Sequence, residues 1–333
     1  EQVSSELHYN DKNLIEKVIR ALSLLEMLVK AGCPLVFKGG TALMLILGKS
    51  AHRLSIDIDL ICPPGTNIED YLKSFADFGF INLELVERKQ RDDADIPKSH
   101  SKFFYQIAYR NVTDAQSYIL LDVLYEDIHY FRTQQIAINC PFIRLEGKPL
   151  MVTVPSAEDI LGDKLTAFAP NTTGIPYYRN GRSCSMEIAK QLYDVGRLFE
   201  NVSDLQITKE AFRKIAVVEL SYRSFGTDIG QVFNDIRQTA LCISTRGKAG
   251  EGDFDLIQDG IIRVKSFMYK QRYLIDHAII DAARAAYLAT LIEKGINEIE
   301  SYSNNPADIK DMVIRPSLPN KLNKLRSNLP EAY

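Results

Sequence analysis

Residues 38–60 read KGGTALMLILGKSAHRLSIDIDL, a strand end, an apolar helix and a second strand in close succession. The preceding residues extend it to PLVFKGG (34–40), a short buried strand that stops at a glycine pair. TALMLILGK (41–49) is a compact apolar helix, with Thr41 placed to cap its start and Gly48 near its end. LSIDIDL (54–60) alternates strictly and is expected to be a strand. On such a strand Ser55, Asp57 and Asp59 share one face, and Ile56, Ile58 and Leu60 the other. Two carboxylates two residues apart on extended backbone reach one small volume, where they repel unless a cation or solvent intervenes. A hard divalent cation such as Mg²⁺ takes oxygen ligands of this kind and shares them with substrate phosphates. Gly39 and Gly40 allow backbone to approach a ligand closely, and the helix opening at Thr41 offers N–H groups that favour an anion. Lys38 adds a full positive charge beside that turn. A plain strand-to-helix corner followed by a solvated strand face would also account for each part alone. Together, a phosphate-binding turn and a carboxylate pair are what nucleoside triphosphate chemistry needs.

Upstream, residues 13–31 carry apolar side chains at helical spacing up to Gly32 and Pro34. Downstream, residues 67–80 (NIEDYLKSFADFGF) read as a helix, and three strand-like runs follow at 81–88, 101–110 and 117–126. The polar segment at 90–100 reads as a loop. In the last of the three runs, SYILLDVLYE, Asp122 sits among apolar neighbours, where a buried carboxylate without a partner is costly. It is therefore a candidate third ligand, ahead of Glu126 and Asp127 at the strand end. From Val154 the pattern turns helical, with helices expected at 155–169, 187–200, 209–225 and 276–295. The expected class is α+β: a domain over 1–153 with a mixed sheet and flanking helices, then a helical domain over 154–333.

The bulk properties exclude several alternatives. A formal net charge of −3 argues against a surface that coats nucleic acid indiscriminately but not against a local basic groove. Five cysteines, an odd number without CxxC spacing, fit buried thiols in a reducing compartment better than disulfides or a zinc site. No apolar run approaches about 20 residues, so the expectation is a soluble cytoplasmic protein with no membrane partner. His8, His52, His100, His129 and His277 show no metal-ligand spacing, and Ser183-Cys184-Ser185 lacks a recognisable base. Tyr177, Tyr178, Arg179 and Arg182 could stack on or pair with a nucleotide or RNA end, or simply form a connector.

The run Lys38-Gly39-Gly40-Thr41-Ala42-Leu43 followed by Arg53-x-Ser55-x-Asp57-x-Asp59 resembles the AbiEii/AbiGii nucleotidyltransferase toxins, within the DNA polymerase β-like nucleotidyltransferase superfamily. The resemblance implies Mg²⁺ (or Mn²⁺) held by Asp57, Asp59 and Asp122. It also implies an NTP positioned by Lys38, Gly39, Gly40, Thr41, Arg53 and Ser55. In DILGDKLTAFA, Lys164 resembles the family's triphosphate-contacting lysine. EIAKQLYDVGRL resembles its later helix motif at Lys190 and Asp194, with Gln191 where the family often has an acid. Lys190 and Asp194, four apart, also suit an ordinary helix ion pair. With Asp57, Asp59, Asp122, Lys164 and Asp194 as catalytic residues, the active site is expected between the two domains. The implied reaction is transfer of a nucleoside monophosphate to an acceptor hydroxyl. The implied acceptor is the tRNA 3′ end, and the implied role a growth-arresting toxin with a separately encoded antitoxin. Rival readings are a small-molecule (antibiotic-type) nucleotidyltransferase, a catalytically silent nucleotide-binding module, and a nucleotide-sugar glycosyltransferase using D-x-D.

Overall fold

The computed structural model describes residues 2–7, 9–86, 98–108, 115–202, 204–223, 226, 228–269, 271–315 and 319–333. The predicted loop at 90–100 therefore lies largely outside the described residues. The chain divides into two compact units, Glu1–Ser156 with Phe267–Gln271, and Ala157–Ser266 with Arg272–Tyr333.

The first unit opens with α1 (Gln2–Leu7) and α2 (Lys12–Lys30). Asp11 caps α2 by accepting a hydrogen bond from the Leu14 amide at 3.0 Å. β1 (Val36–Lys38) leads directly into α3 (Gly39–Leu47), followed by β2 (Ile58–Cys62), β3 (Asn82–Val86), β4 (Lys98–Gln106) and β5 (Gln116–Tyr125). These five strands form one mixed sheet in the order β1-β2-β5-β4-β3. β2 and β5 run parallel, and the other three pairings are antiparallel. A hairpin of β6 (Thr133–Ala137) and β7 (Met151–Pro155) completes the unit and is not apparent from the sequence. The apolar stripe of α2, including Leu14, Val18, Leu22 and Leu25, belongs to one buried cluster with Phe37, Ile58, Phe103 and Leu121 of the sheet. Each such side chain contributes about 1.5–3 kcal/mol on burial, and α2 and the sheet are held together by that sum.

Two expected elements differ from the structure. The strand over 54–60 is shorter and later, because β2 begins only at Ile58. The backbone before it is engaged elsewhere. The Leu54 amide donates to the Phe267 carbonyl at 2.8 Å, Arg53 bridges Met268, and the Asp57 carbonyl accepts from Thr41 Oγ1 at 2.7 Å. The helix expected over 67–80 is two short 3₁₀ turns, Ile68–Tyr71 and Phe75–Phe78. Only Ile68, Leu72 and Phe80 of that stretch are buried, too few to anchor a continuous helical stripe.

The second unit consists of α4 (Ala157–Ala167), a small hairpin of β8 (Tyr178–Arg179) and β9 (Arg182–Ser183), α5 (Ser185–Phe199) and α6 (Leu205–Tyr222). It continues with α7 (Ile229–Ser244), α8 (Phe254–Val264), α9 (Ile275–Lys294), and the short α10 (Pro319–Leu322) and α11 (Leu325–Asn328). Asp204, Asp228 and Asp253 start α6, α7 and α8 by accepting from the amides of Gln206, Gly230 and Leu256. α4 packs on α6, α7 on α9, and α5 on both α8 and α9. The α+β class expected from the sequence is the class observed. No helix among the described residues is long and apolar enough to cross a membrane.

Candidate active site

Register builds the first part of the site. Lys38 of β1 pairs with Asp59 of β2, Asp59 with Asp122 of β5, and Asp122 with His100 of β4. Directly paired residues project to the same face of a sheet, so these four side chains form one row across four adjacent strands. The residues next to them in the strands, such as Phe37, Leu60 and Val123, are buried on the opposite face. A cation, two carboxylates and an imidazole thus stand side by side where the apolar pattern of the strands is interrupted.

His100 Nδ1 donates to Asp122 Oδ1, and the imidazole is buried while Asp122 keeps a side-chain exposure of 35%. One oxygen of Asp122 is therefore held while the residue still reaches solvent. Lys38 lies over the ring of Tyr130, 5.7 Å from its centroid, so the ammonium is steered by an aromatic face as well as by its strand.

The glycine pair is explained by what leans on it. Gly39 has φ +77°, and a Cβ there would overlap the Asp59 carboxylate. A Cβ on Gly40 would stand 2.7 Å from Ser55 Oγ and 3.0 Å from Arg53 Nη2. Without side chains at 39 and 40, Asp59, Ser55 and Arg53 can close around the first turn of α3. Arg53 and Ser55 are both buried, at 6% and 9% exposure, and Arg53 Nη1 donates to the Leu54 carbonyl at 3.1 Å. Thr41 is not the helix cap expected from the sequence. Lys38 occupies the cap position without a side-chain bond, while Thr41, wholly buried in the helix, donates to the Asp57 carbonyl. The hydroxyl thereby ties α3 to the backbone that delivers Asp57. The loop is fastened on its other side by Phe267–Gln271, where the Tyr269 amide donates to the His52 carbonyl at 3.1 Å. Tyr269 also donates through its hydroxyl to the Ala51 carbonyl and packs edge-on against Phe142.

The fit of a divalent cation rests on this donor set. Among the described residues no group of three or more His, Cys, Asp or Glu side chains is arranged to hold a metal. Asp59 and Asp122, however, supply two hard carboxylates on neighbouring strands. Mg²⁺ is commonly held by one or two carboxylates, with substrate phosphates completing its oxygen shell. The donor chemistry fits, with Asp57 one residue ahead of β2 as the remaining candidate.

The candidates in the second unit form their own cluster. Lys164 of α4 and Asp194 of α5 make a buried ion pair, Nζ to Oδ2 at 3.0 Å, with side-chain exposures of 8% and 2%. Lys164 also donates to Gln191 Oε1 at 2.9 Å. Asp194, whose spacing from Lys190 suits a helix ion pair, thus also pairs across helices with Lys164. The departure at Gln191 acquires a meaning, since a neutral amide stands beside the ammonium where an acid would add a second negative charge.

Sequence reasoning did not select His100, Tyr130 or the Phe267–Gln271 segment. None carries a local signature. Only strand register brings His100 to Asp122, and only tertiary packing brings residue 269 to residue 51.

Over residues 22–305 the chain matches the family described as nucleotidyl transferase AbiEii toxin, type IV toxin–antitoxin system. No curated protein sequence matches it. Among solved structures it is similar to MenT4, a nucleotidyltransferase toxin from Mycobacterium tuberculosis, at 15% identity and a TM-score of 0.47, covering 88% of each chain. It is also similar to JHP933 from Helicobacter pylori, at 16% identity and a TM-score of 0.41, over 86% of this chain and 92% of the other. With the family model spanning most of its length, this chain belongs to the AbiEii family of nucleotidyl transferase toxins of type IV toxin–antitoxin systems.

Proposed function

We propose that the protein transfers a nucleoside monophosphate from an NTP to a hydroxyl of RNA, the 3′ end of tRNA being the favoured acceptor, and so arrests growth until an antitoxin counteracts it. The observation that carries this reading is the row of Lys38, Asp59, Asp122 and His100 beside the glycine turn at the start of α3. A cation and two carboxylates side by side suit a metal-bound triphosphate and an attacking hydroxyl.

In this reaction the acceptor oxygen attacks the α-phosphorus, the bond from that phosphorus to the α–β bridging oxygen breaks, and pyrophosphate leaves. The hydroxyl proton is lost to solvent. Backbone N–H groups of the first turn of α3, opened by Gly39 and Gly40 and kept in place by Thr41, are suited to hold phosphate oxygens. Lys38, Arg53 and Ser55 favour the charge that grows on the departing pyrophosphate. Lys164, with its buried partner Asp194, and Lys190 are assigned to the triphosphate by family resemblance. Asp57, Asp59 and Asp122 would hold Mg²⁺, or Mn²⁺ in its place, whose chemistry is neutralising the phosphates and acidifying the acceptor hydroxyl. The family assignment supports a separately encoded antitoxin as partner, and phage defence by abortive infection in the cytoplasm as setting.

The test incubates the full chain with Mg²⁺, total RNA and each α-labelled NTP in turn. The expected result is label in a tRNA-sized band with one or a few NTPs, lost in Asp57→Ala and Asp59→Ala. Absence of label in RNA with every NTP overturns the RNA reading. Label appearing on a small hydroxylated compound instead would move the assignment to the antibiotic-modifying class.

A further inference from the structure

The hairpin of β8 and β9 carries a charge arrangement that its own fold does not explain. Its turn is Asn180-Gly181, with φ of +52° and +73°, the conformation that closes a two-residue hairpin tightly. Tyr178 pairs with Ser183, and Arg179 pairs directly with Arg182. Like charges directly opposite on a hairpin are unfavourable, and here they stand at its tip. Among the described residues neither guanidinium has a hydrogen-bond or ion-pair partner. The positive field extends further, to Arg223. That guanidinium sits below its ordinary pKa, mainly through burial and in part through the charge of Arg179, although Glu219 works the other way. Tyr178, next in the strand, is 57% exposed. The sequence 176–183, PYYRNGRS, contains no acid. The hairpin therefore holds two arginines together on one face at an electrostatic cost, while Tyr178, one residue along the strand, projects an uncovered side chain to the other face.

We propose that this hairpin is a binding site for single-stranded RNA that crosses its edge, with Arg179 and Arg182 on consecutive phosphates at one face and Tyr178 stacking on a base that reaches the other. The repulsion between two arginines held together is relieved when phosphates lie against them, and an exposed tyrosine offers a face that any base can use. The two-residue turn sets the two arginines opposite one another before RNA arrives, which lowers the ordering cost of binding. The proposal rests on the RNA-acceptor reading above and adds to it a contact surface outside the glycine turn and the carboxylate row.

The test measures fluorescence anisotropy of a labelled 12-nucleotide single-stranded RNA with the full chain, without NTP, over a range of salt. Arg179→Gln with Arg182→Gln is expected to weaken binding by about tenfold or more and to lower the slope of log K against log[salt] by about 1.4, the share of two phosphates. Tyr178→Ala is expected to weaken binding by about tenfold at unchanged salt slope, because stacking releases no counterions. Lys265→Gln with Lys294→Gln, two exposed sites of equal charge change, serves as control and is expected to leave the slope close to wild type. Circular dichroism confirms that each variant is folded. Equal loss in the control pair, or unchanged affinity in the arginine pair, overturns the hairpin site. If the wild type labels RNA while the arginine pair binds and is labelled as well as wild type, the hairpin proposal fails and the acceptor reading stands. A wild type that neither binds nor labels RNA overturns both.

Discussion

Gly39→Ala tests the central geometric claim, that the glycine turn exists to let the Asp59 carboxylate lie against the start of α3. Two effects are expected and can be separated. The first is backbone strain, since φ is +77° at Gly39 and an L-residue there costs about 1–2 kcal/mol. Part of this is offset by about 0.4–1 kcal/mol, because alanine restricts the unfolded chain. The second is crowding, because the new Cβ overlaps the Asp59 carboxylate and the side chain must leave its place. Overpacking of this kind adds about 1–3 kcal/mol. Gly32 supplies the control, with φ +74° and no atom within 4 Å of an added Cβ. Gly32→Ala should therefore show the strain alone, about 1 kcal/mol, and Gly39→Ala roughly 2–4 kcal/mol in urea denaturation. Nucleotidyl transfer should separate them further. A displacement of about 1 Å in a reacting group costs on the order of 100-fold, so Gly39→Ala is expected to lose about that much while Gly32→Ala keeps its activity. If Gly39→Ala matches Gly32→Ala in both stability and rate, Asp59 does not depend on the glycine and the reasoning is refuted.

Four further outcomes follow from the same structure. Asp194→Asn leaves the buried Lys164 ammonium with only neutral partners and should cost about 3–5 kcal/mol, whereas Lys164→Met with Asp194→Leu should recover most of it; a single variant within about 1 kcal/mol of wild type in chemical denaturation contradicts the buried pair. His100→Leu should reduce kcat and Mn²⁺ affinity, read by electron paramagnetic resonance, by about 10–100-fold, and His100→Asn, which keeps a donor near Nδ1, should recover much of both; equal loss in the two variants would show that the hydrogen bond to Asp122 is not what matters. Thr41→Val removes the bond to the Asp57 carbonyl at nearly constant volume and should cost about 1–3 kcal/mol, with kcat falling more than KM rises; unchanged values for both would remove the link from α3 to Asp57. Burial above all pushes Asp281 up to about 7, against the pull of Arg197 and Arg284, so the folded state holds a proton that the unfolded state releases near pH 4. Its contribution is present below that pH and is lost as pH rises towards 7. Wild type should therefore lose stability relative to Asp281→Asn between pH 5 and 8, and a constant gap would contradict the shift.

The class of the fold, the strand–helix–strand entry to the candidate site and the candidates Lys38, Asp59 and Asp122 were legible in the sequence alone. Those signals are local. Apolar spacing marks α2 and α9, the break at Gly39-Gly40 marks the step from β1 to α3, and a lone Asp122 in an apolar run marks an interrupted strand face. Where the reading went astray, contacts distant in the chain overrode a local pattern. The alternation at 54–60 predicts a longer strand, yet residues 53–57 bond to Phe267, Met268 and Thr41 and never join the ladder. The helical pattern at 67–80 lacked the packing to sustain it, and no local spacing announces that Asp194 pairs with Lys164 on another helix. Tertiary structure alone decided which row the carboxylates occupy, that His100 stands beside Asp122, and why two glycines are required. Register is a relation between strands far apart in sequence, and the space a side chain may fill is set by neighbours that no local pattern can name.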